Sequence, residues 1–315
     1  MKAIEALSAL DATAAPLSRI GIRYLVEKMR QAQVFILPDA GTLLDRSKPA
    51  PEVPGLTFTP TFPVMALEYA MPQDKSRHTP GYTDAPSSRR IALAWRWTND
   101  LPTELSRCAP PITGDGVVIA SIAYLDDHKM WMPMATAAHL PFDDEWMAPT
   151  MTPFKAAALA AGQMTKAQVN ARSRAYGYVP ILPEALFGII STVGGAAATD
   201  HLAADLMDEI NAYIDLCCAL SCRNVESIRH PAAEKLNRAR ARQGKMPLKD
   251  FHVLKLAGTD ASGSSAGGGG GSASRRAHLR RGHIRQLRHL GEGRLTWVNA
   301  TMVGGKGFID KAYRL

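Results

Sequence analysis

DHLAADLMDEINAYIDLCCALSC, residues 200–222, is the stretch from which the rest of the chain is read. Leu202, Leu206, Ile210, Tyr213, Ile214, Cys217 and Leu220 recur at helical spacing and form one apolar stripe. That pattern belongs to a helix that lays one face on a core. Asp200 stands where an N-cap residue would accept from the first free backbone N–H groups. A second helix is predicted from Pro231 to Gln243, with proline in its first turn and Gly244 at its end. Together the two helices are expected to back a small antiparallel sheet near the C-terminus.

Towards the N-terminus the periodicity changes. Apolar runs at Val34–Leu37, Val64–Tyr69, Arg90–Trp97 and Gly116–Tyr124 predict strands, the first ended by Pro38. Long connections separate them: Lys48–Pro63 is rich in proline and threonine, and Met71–Ser88 in polar loop residues. Leu17–Gln31 has the spacing of a helix through Ile20, Tyr24, Leu25 and Met29, and the Ala-rich Lys155–Tyr176 predicts another. After the Pro231 helix, Phe251–Leu256 reads as a strand. Two short β-like runs, Leu295–Val303 and Phe308–Leu315, close the chain. The expected fold class is α+β. Residues 1–150 form a mainly β N-terminal portion; residues 151–315 hold the helical middle and a basic C-terminal β module. Within that module Ala257–Ser274 lacks side chains able to offset the entropy of ordering, so a flexible Gly/Ser-rich loop is expected at 257–274.

At 315 residues the chain is long enough for about two domains, and its 46% apolar and 21% charged content is that of a globular protein. The net charge of +8 is unevenly placed. From Arg223 to the end there are 19 Lys/Arg against 6 Asp/Glu, while the preceding residues carry an acidic excess. An acidic body joined to a basic C-terminal third implies a polyanionic partner or an acidic protein surface. Cys108, Cys217, Cys218 and Cys222 do not make a disulfide framework, which fits reduced thiols in a cytoplasmic compartment. Glu5 and Asp11 fall where a secretory signal needs an apolar run, and Ala185–Thr199 is too short for a membrane span, so no membrane association is expected.

The basic residues fall in two groups. Lys235, Arg238 and Arg242 share one stripe of the Pro231 helix. Arg275, Arg276, Arg280, Arg281, His283, Arg285, Arg288 and Arg294 follow the Gly/Ser-rich stretch, and Gly282 with the hairpin-like sequence after it favours a strand over a helix there. Together they form a candidate nucleic-acid-binding face whose contacts would be phosphate-dominated and weakly sequence-specific. The plainer reading is a solvated basic surface. Zinc-finger spacing, an aromatic RNA-binding signature and a helix-turn-helix pattern are all missing from the sequence.

Other constellations are weaker. Cys217, Cys218 and Cys222 could hold a metal with His230, but without CxxC spacing core packing is the stronger reading. Asp126, Asp127, His128, His139, Asp143, Asp144 and Glu145 resemble the donor set of a metal-dependent hydrolase, and are also ordinary loop residues. Val303–Phe308 (VGGKGF) falls short of the GxxxxGK[ST] phosphate loop and reads as a turn. His283, Arg285 and Arg294 could serve a metal-independent, nuclease-like site. With no complete catalytic signature, no cofactor and no metal is expected.

From Leu236 onward the stretches LNRARARQGKMPLKDFHVLKL, RRGHIRQL, GRLTWVN and GFIDKAYRL resemble the C-terminal region of uncharacterised proteins encoded by temperate tailed phages and prophages. The resemblance covers about the last quarter of the chain. It implies a basic helix at Arg238–Lys245, a strand at His252–Leu256 and a variable loop at Ala257–Ser274. It also implies an RGH segment at Arg281–His283, a strand at Trp297 and a tail at Tyr313–Leu315. The group supplies no activity. It implies a phage-encoded accessory protein in the host cytoplasm, either contacting nucleic acid or blocking or recruiting a host protein.

Overall fold

The computed structural model describes residues 2–44, 58–72, 86–108, 111–142, 146–256, 278–280, 283–286, 294–298 and 301–303. Two helices open the chain, α1 (Lys2–Leu10) and α2 (Pro16–Gln31). They are followed by β1 (Gln33–Ile36), β2 (Val64–Ala70), β3 (Ser87–Arg96), the single turn α3 (Thr103–Ser106), β4 (Gly116–Leu125), β5 (Met130–Pro141) and β6 (Trp146–Met147). The middle holds α4 (Pro153–Ala160), α5 (Lys166–Val169), β7 (Ser173–Arg174), β8 (Gly177–Pro180), α6 (Pro183–Val193) and α7 (Gly195–Leu220). Then come β9 (Val225–His230), α8 (Glu234–Arg242), β10 (Phe251–Leu256), β11 (His278–Arg280), β12 (His283–Gln286), β13 (Leu295–Val298) and β14 (Thr301–Val303).

Eight strands form one mixed sheet in the order β8-β5-β4-β3-β2-β1-β10-β9. β1 is parallel to both β2 and β10, and the other pairs are antiparallel. Helices cover both faces. On one, α1 and α2 pack Leu7, Ile22 and Leu25 against Ile91, Leu93, Trp95 and Ile122. On the other, Leu206, Tyr213 and Leu216 of α7 meet Phe35, Met65, Leu67 and Ile119. Because both faces are covered, β4 is buried over eight consecutive residues rather than at alternate ones.

The ends of α2 are held by side chains from distant segments. Its N-terminus has no side-chain cap from its own flank. Instead Glu184 of α6 accepts from the backbone N–H groups of Leu17 (2.8 Å) and Ser18 (2.9 Å) and from the Ser18 hydroxyl (2.6 Å). At the other end the Lys249 ammonium donates to the carbonyls of Met29, Arg30 and Ala32 at 3.0, 2.6 and 2.8 Å. A carboxylate at the N-terminus and a cation at the C-terminus both match the helix dipole.

Several expectations change. The chain is α+β, but β9 and β10 do not form a separate C-terminal sheet: β10 pairs with β1 through Val34 and Phe251, so they extend the main one. Strands from both sides of residue 150 therefore share a sheet. Asp200 does not cap α7, which begins at Gly195. The Asp200 carboxylate is buried and accepts instead from the Phe154 N–H at the start of α4 (2.8 Å). The helix predicted over Lys155–Tyr176 is broken: Gly162 takes φ +72°, and Thr165 starts α5 with a capping box closed by Gln168. Ala257–Ser274 and Phe308–Leu315 lie outside the described residues.

Candidate functional site

Helix α8 is the basic element predicted from the sequence, and its environment is unlike that of the other long helices. The helix starts later than expected: its N-cap is Ala233, so Pro231, which follows the last residue of β9, lies outside it rather than in its first turn. Glu234 sits in the first turn, Arg240 and Arg242 sit in the last, and Gly244 (φ +65°) turns the chain away. The acidic first turn and basic last turn match the helix dipole, and the glycine supplies the turn that ends it. None of its residues is buried, and Leu236 is 54% exposed. Two polar side chains tether it. Asn237 exchanges hydrogen bonds with the backbone of Leu248, donating to its carbonyl at 3.1 Å and accepting from its N–H at 2.6 Å. Arg240 donates to the Met246 carbonyl (2.7 Å) and to Glu5 of α1 (2.6 Å).

The outward charges are largely unopposed. Arg238 pairs with Glu234 at 2.7 Å, an exposed i,i+4 contact that contributes little. Lys235, Arg242 and Lys245 are exposed and have no ion pair among the described residues. From Arg223 to Leu256 there are nine Lys/Arg and three Asp/Glu, so this region is basic before the last arginines are considered. On β9, Arg229 is well exposed although its Nε donates to Asp250 at 2.9 Å. The Ala232 N–H, with Arg229, holds the Asp250 carboxyl below its ordinary value. That fixes the β9–α8 corner.

The second basic group is reached only in part. Arg280 lies on β11 and His283 and Arg285 on β12, as the strand reading anticipated. Their side chains, and Arg275, Arg276, Arg281 and Arg288, lie outside the described residues. β12 pairs with β13, with Arg285 opposite Thr296. This hairpin joins the body where Leu295, which is buried, bridges to Cys222 and where the Arg223 N–H donates to the Leu295 carbonyl at 3.2 Å. Arg294 is exposed at that junction. The structure thus places Arg294 beside the start of β9.

The metal readings fare differently. Cys217, Cys218 and Cys222 are buried free thiols, and burial pushes Cys217 up to about 12 and Cys222 up to about 11. Thiols of that kind are inert packing groups. The acidic, histidine-containing patch does not assemble. Asp126, Asp127 and His128 form the β4–β5 turn, whereas His139 is buried near the far end of β5, roughly 30 Å along the strand. Asp143, Asp144 and Glu145 lie outside the described residues. Among the described residues no group of three or more His, Cys, Asp or Glu is arranged to hold a metal ion, and no helix is long and apolar enough to cross a membrane.

The sequence reading missed a buried polar group beneath α7. Glu209, fully buried, accepts from the Tyr69 hydroxyl at 2.9 Å and faces the Arg90 guanidinium at 3.4 Å, with Asp208 at 3.9 Å from Arg90. Burial pushes the Glu209 carboxyl up against the opposing pull of Arg90. Burial alone would lower Arg90, but Glu209, Asp208, Tyr69 and Asp205 raise it and keep it charged. Glu209 Oε2 and Arg90 Nε have no hydrogen-bond partner among the described residues. One signal was available: Glu209 lies three residues after Leu206 and four before Tyr213, inside the apolar stripe. The same helix carries Asp215, which is buried and accepts from the N–H groups of Leu43 (3.1 Å) and Leu44 (3.2 Å). These carboxylates act as internal ties between α7, the sheet and the β1–β2 connection.

On the same sheet face His252 is stacked on Phe35 (5.0 Å, 24°), and its Nδ1 lies 2.9 Å from the Ser227 hydroxyl. Burial pushes this imidazole down, towards its neutral form. Hydroxyl and ring satisfy one another across β9 and β10. Comparison with protein families, with curated proteins and with solved structures found no match.

Proposed function

We propose that the chain contacts nucleic acid through the basic surface of α8 and the arginine-bearing strands that follow it. The observation that carries this reading is that α8 buries none of its residues yet presents Lys235, Arg238 and Arg242 along one side. Helices normally repay the cost of ordering by burying an apolar face. One that does not, and carries four Lys/Arg against a single Glu, suits a phosphate backbone. The contacts are phosphate-dominated and weakly sequence-specific, because surface Lys and Arg meet the backbone that every sequence shares. Within this reading the protein is a phage-encoded accessory factor acting in the host cytoplasm.

The test is fluorescence anisotropy with a labelled oligonucleotide at low salt. The variant carrying Lys235→Ala, Arg238→Ala and Arg242→Ala is expected to bind at least about tenfold more weakly, with an unchanged melting temperature. Equal affinity for both proteins would remove α8 from the interface.

A second reading, a module that blocks or recruits a host protein, is favoured by one feature. Phe187, Ile190 and Val193 are all exposed on α6, an arrangement that protein partners cover. Pull-down from host lysate with and without nuclease separates the readings: a partner kept after nuclease treatment supports the second.

A further inference from the structure

The strand that leads into α8 ends in an aromatic stack. His230, the last residue of β9, lies against Phe251 of β10 with ring centroids 5.2 Å apart and planes 11° apart. The two are directly paired across the ladder. Phe251 is half-buried and His230 exposed, so the stack runs from the sheet outward and ends in a ring that solvent reaches.

Strand alternation decides which side this stack occupies. His252 and Leu254 pack on the α7 side, His252 on Phe35 and Leu254 on the same core cluster. Phe251, one residue before His252, therefore faces the α1–α2 side, and its cross-strand partner His230 does too. Helix α8 is tied to that same side, through Arg240 to Glu5 of α1 and through Met246 against the α1–α2 core. Only Pro231, Ala232 and Ala233 separate the ring from the helix, a span of at most about 15 Å. Arg229, paired across the ladder with His252, points to the α7 side and takes no part in this surface.

An exposed, flat ring beside a row of cations is what an unpaired base and its backbone recognise. A base in a duplex has both faces covered by its neighbours and offers none to the imidazole. We infer that the preferred ligand is single-stranded nucleic acid, with one base stacked on His230 and the adjoining phosphates on α8. This rests on the nucleic-acid reading above and narrows it to one substrate class.

The experiment compares a labelled oligothymidylate with a duplex of equal length, by anisotropy, for wild type, His230→Ala, His230→Phe and the α8 triple variant. Wild type is expected to bind the single strand more tightly than the duplex. His230→Ala should lower single-strand affinity about tenfold and leave duplex affinity unchanged, His230→Phe should restore it, and the α8 variant should weaken both. Because His230 is exposed at a strand end, its replacement is expected to fold, which circular dichroism checks. Equal binding of the two ligands, or equal losses on both in His230→Ala, would overturn the single-strand inference while leaving the α8 interface standing. Failure of wild type to bind either ligand would overturn both.

Discussion

Helices α7 and α8 are both rich in charge, and they use it in opposite ways. α7 carries five Asp/Glu and no Lys or Arg over 26 residues, and it buries thirteen of them, including Asp200, Glu209 and Asp215. Each of those three carboxylates has an internal partner: the start of α4, the Tyr69–Arg90 pair, or the chain after β1. α8 carries one Glu and four Lys/Arg over nine residues and buries none. Charge withdrawn from water becomes part of the fold, because leaving it unpaired there is costly. Charge left in water contributes little to the fold and remains available to a ligand. The comparison teaches where to look for function in this chain: among the charges that stability does not need.

The comparison breaks most sharply at Glu209. Glu209→Ala leaves the Arg90 guanidinium half-enclosed without its nearest counter-charge, and a loss of about 3–5 kcal/mol in urea unfolding is expected. A loss under about 1 kcal/mol would mean that the buried cluster is incidental to the fold. Lys249→Met comes next. It removes the cation that three carbonyls at the end of α2 share, and a loss of about 1–2 kcal/mol is expected.

Acid sensitivity sharpens the contrast further. At Glu184 partial burial pushes the carboxyl up, but bonds from the Ser18 hydroxyl and the Leu17 and Ser18 N–H groups outweigh it, and the net shift is downward from 4.5. Its stabilisation is complete above that ordinary value and is lost as pH falls through the lowered one. Glu209 is raised above 4.5, so its contribution has the opposite sign: complete at low pH and lost as pH rises through the raised value. Unfolding of Glu184→Gln and Glu209→Gln between about pH 3 and about pH 7 should therefore flatten the stability profile on opposite limbs. Parallel profiles would contradict both assignments.

The smallest expected effect on stability belongs to α8. Replacing Lys235, Arg238 and Arg242 together by alanine should leave unfolding within about 0.5 kcal/mol of wild type, because nothing folded depends on them. A large loss would show that α8 is structural after all.

Much of this contrast was legible in the residues. The apolar stripe from Leu202 to Leu220 identified α7 as a packing helix, and the runs at Val34, Val64, Arg90 and Gly116 became β1 to β4 because their pattern leaves few alternatives. The basic side of α8 was readable from Lys235, Arg238 and Arg242 at i,i+3 and i,i+4 spacing. Two kinds of feature were not. Pairing partners distant in sequence, such as β1 with β10, depend on which edge is open after collapse, and no local pattern encodes that. Buried polar ties, such as Glu209 to Tyr69 or Glu184 to the start of α2, depend on meetings between residues more than a hundred positions apart. β5 was missed because Pro133 and the small residues Ala135, Thr136, Ala137 and Ala138 lack the bulky, β-branched run by which an interior strand is read. His230 was weighed only as a metal ligand, since nothing in the sequence brings it onto Phe251.

The central claim is that the unburied charges of α8 neutralise phosphates. Its most direct test is the slope of log affinity against log salt concentration, measured on one single-stranded oligonucleotide for wild type and for the Lys235, Arg238 and Arg242 triple alanine variant. Each phosphate contact on a single strand contributes a slope of about −0.7, so the variant's slope should be shallower than that of wild type by about 2. Identical slopes for the two proteins, or no wild-type binding at low salt, would contradict the account.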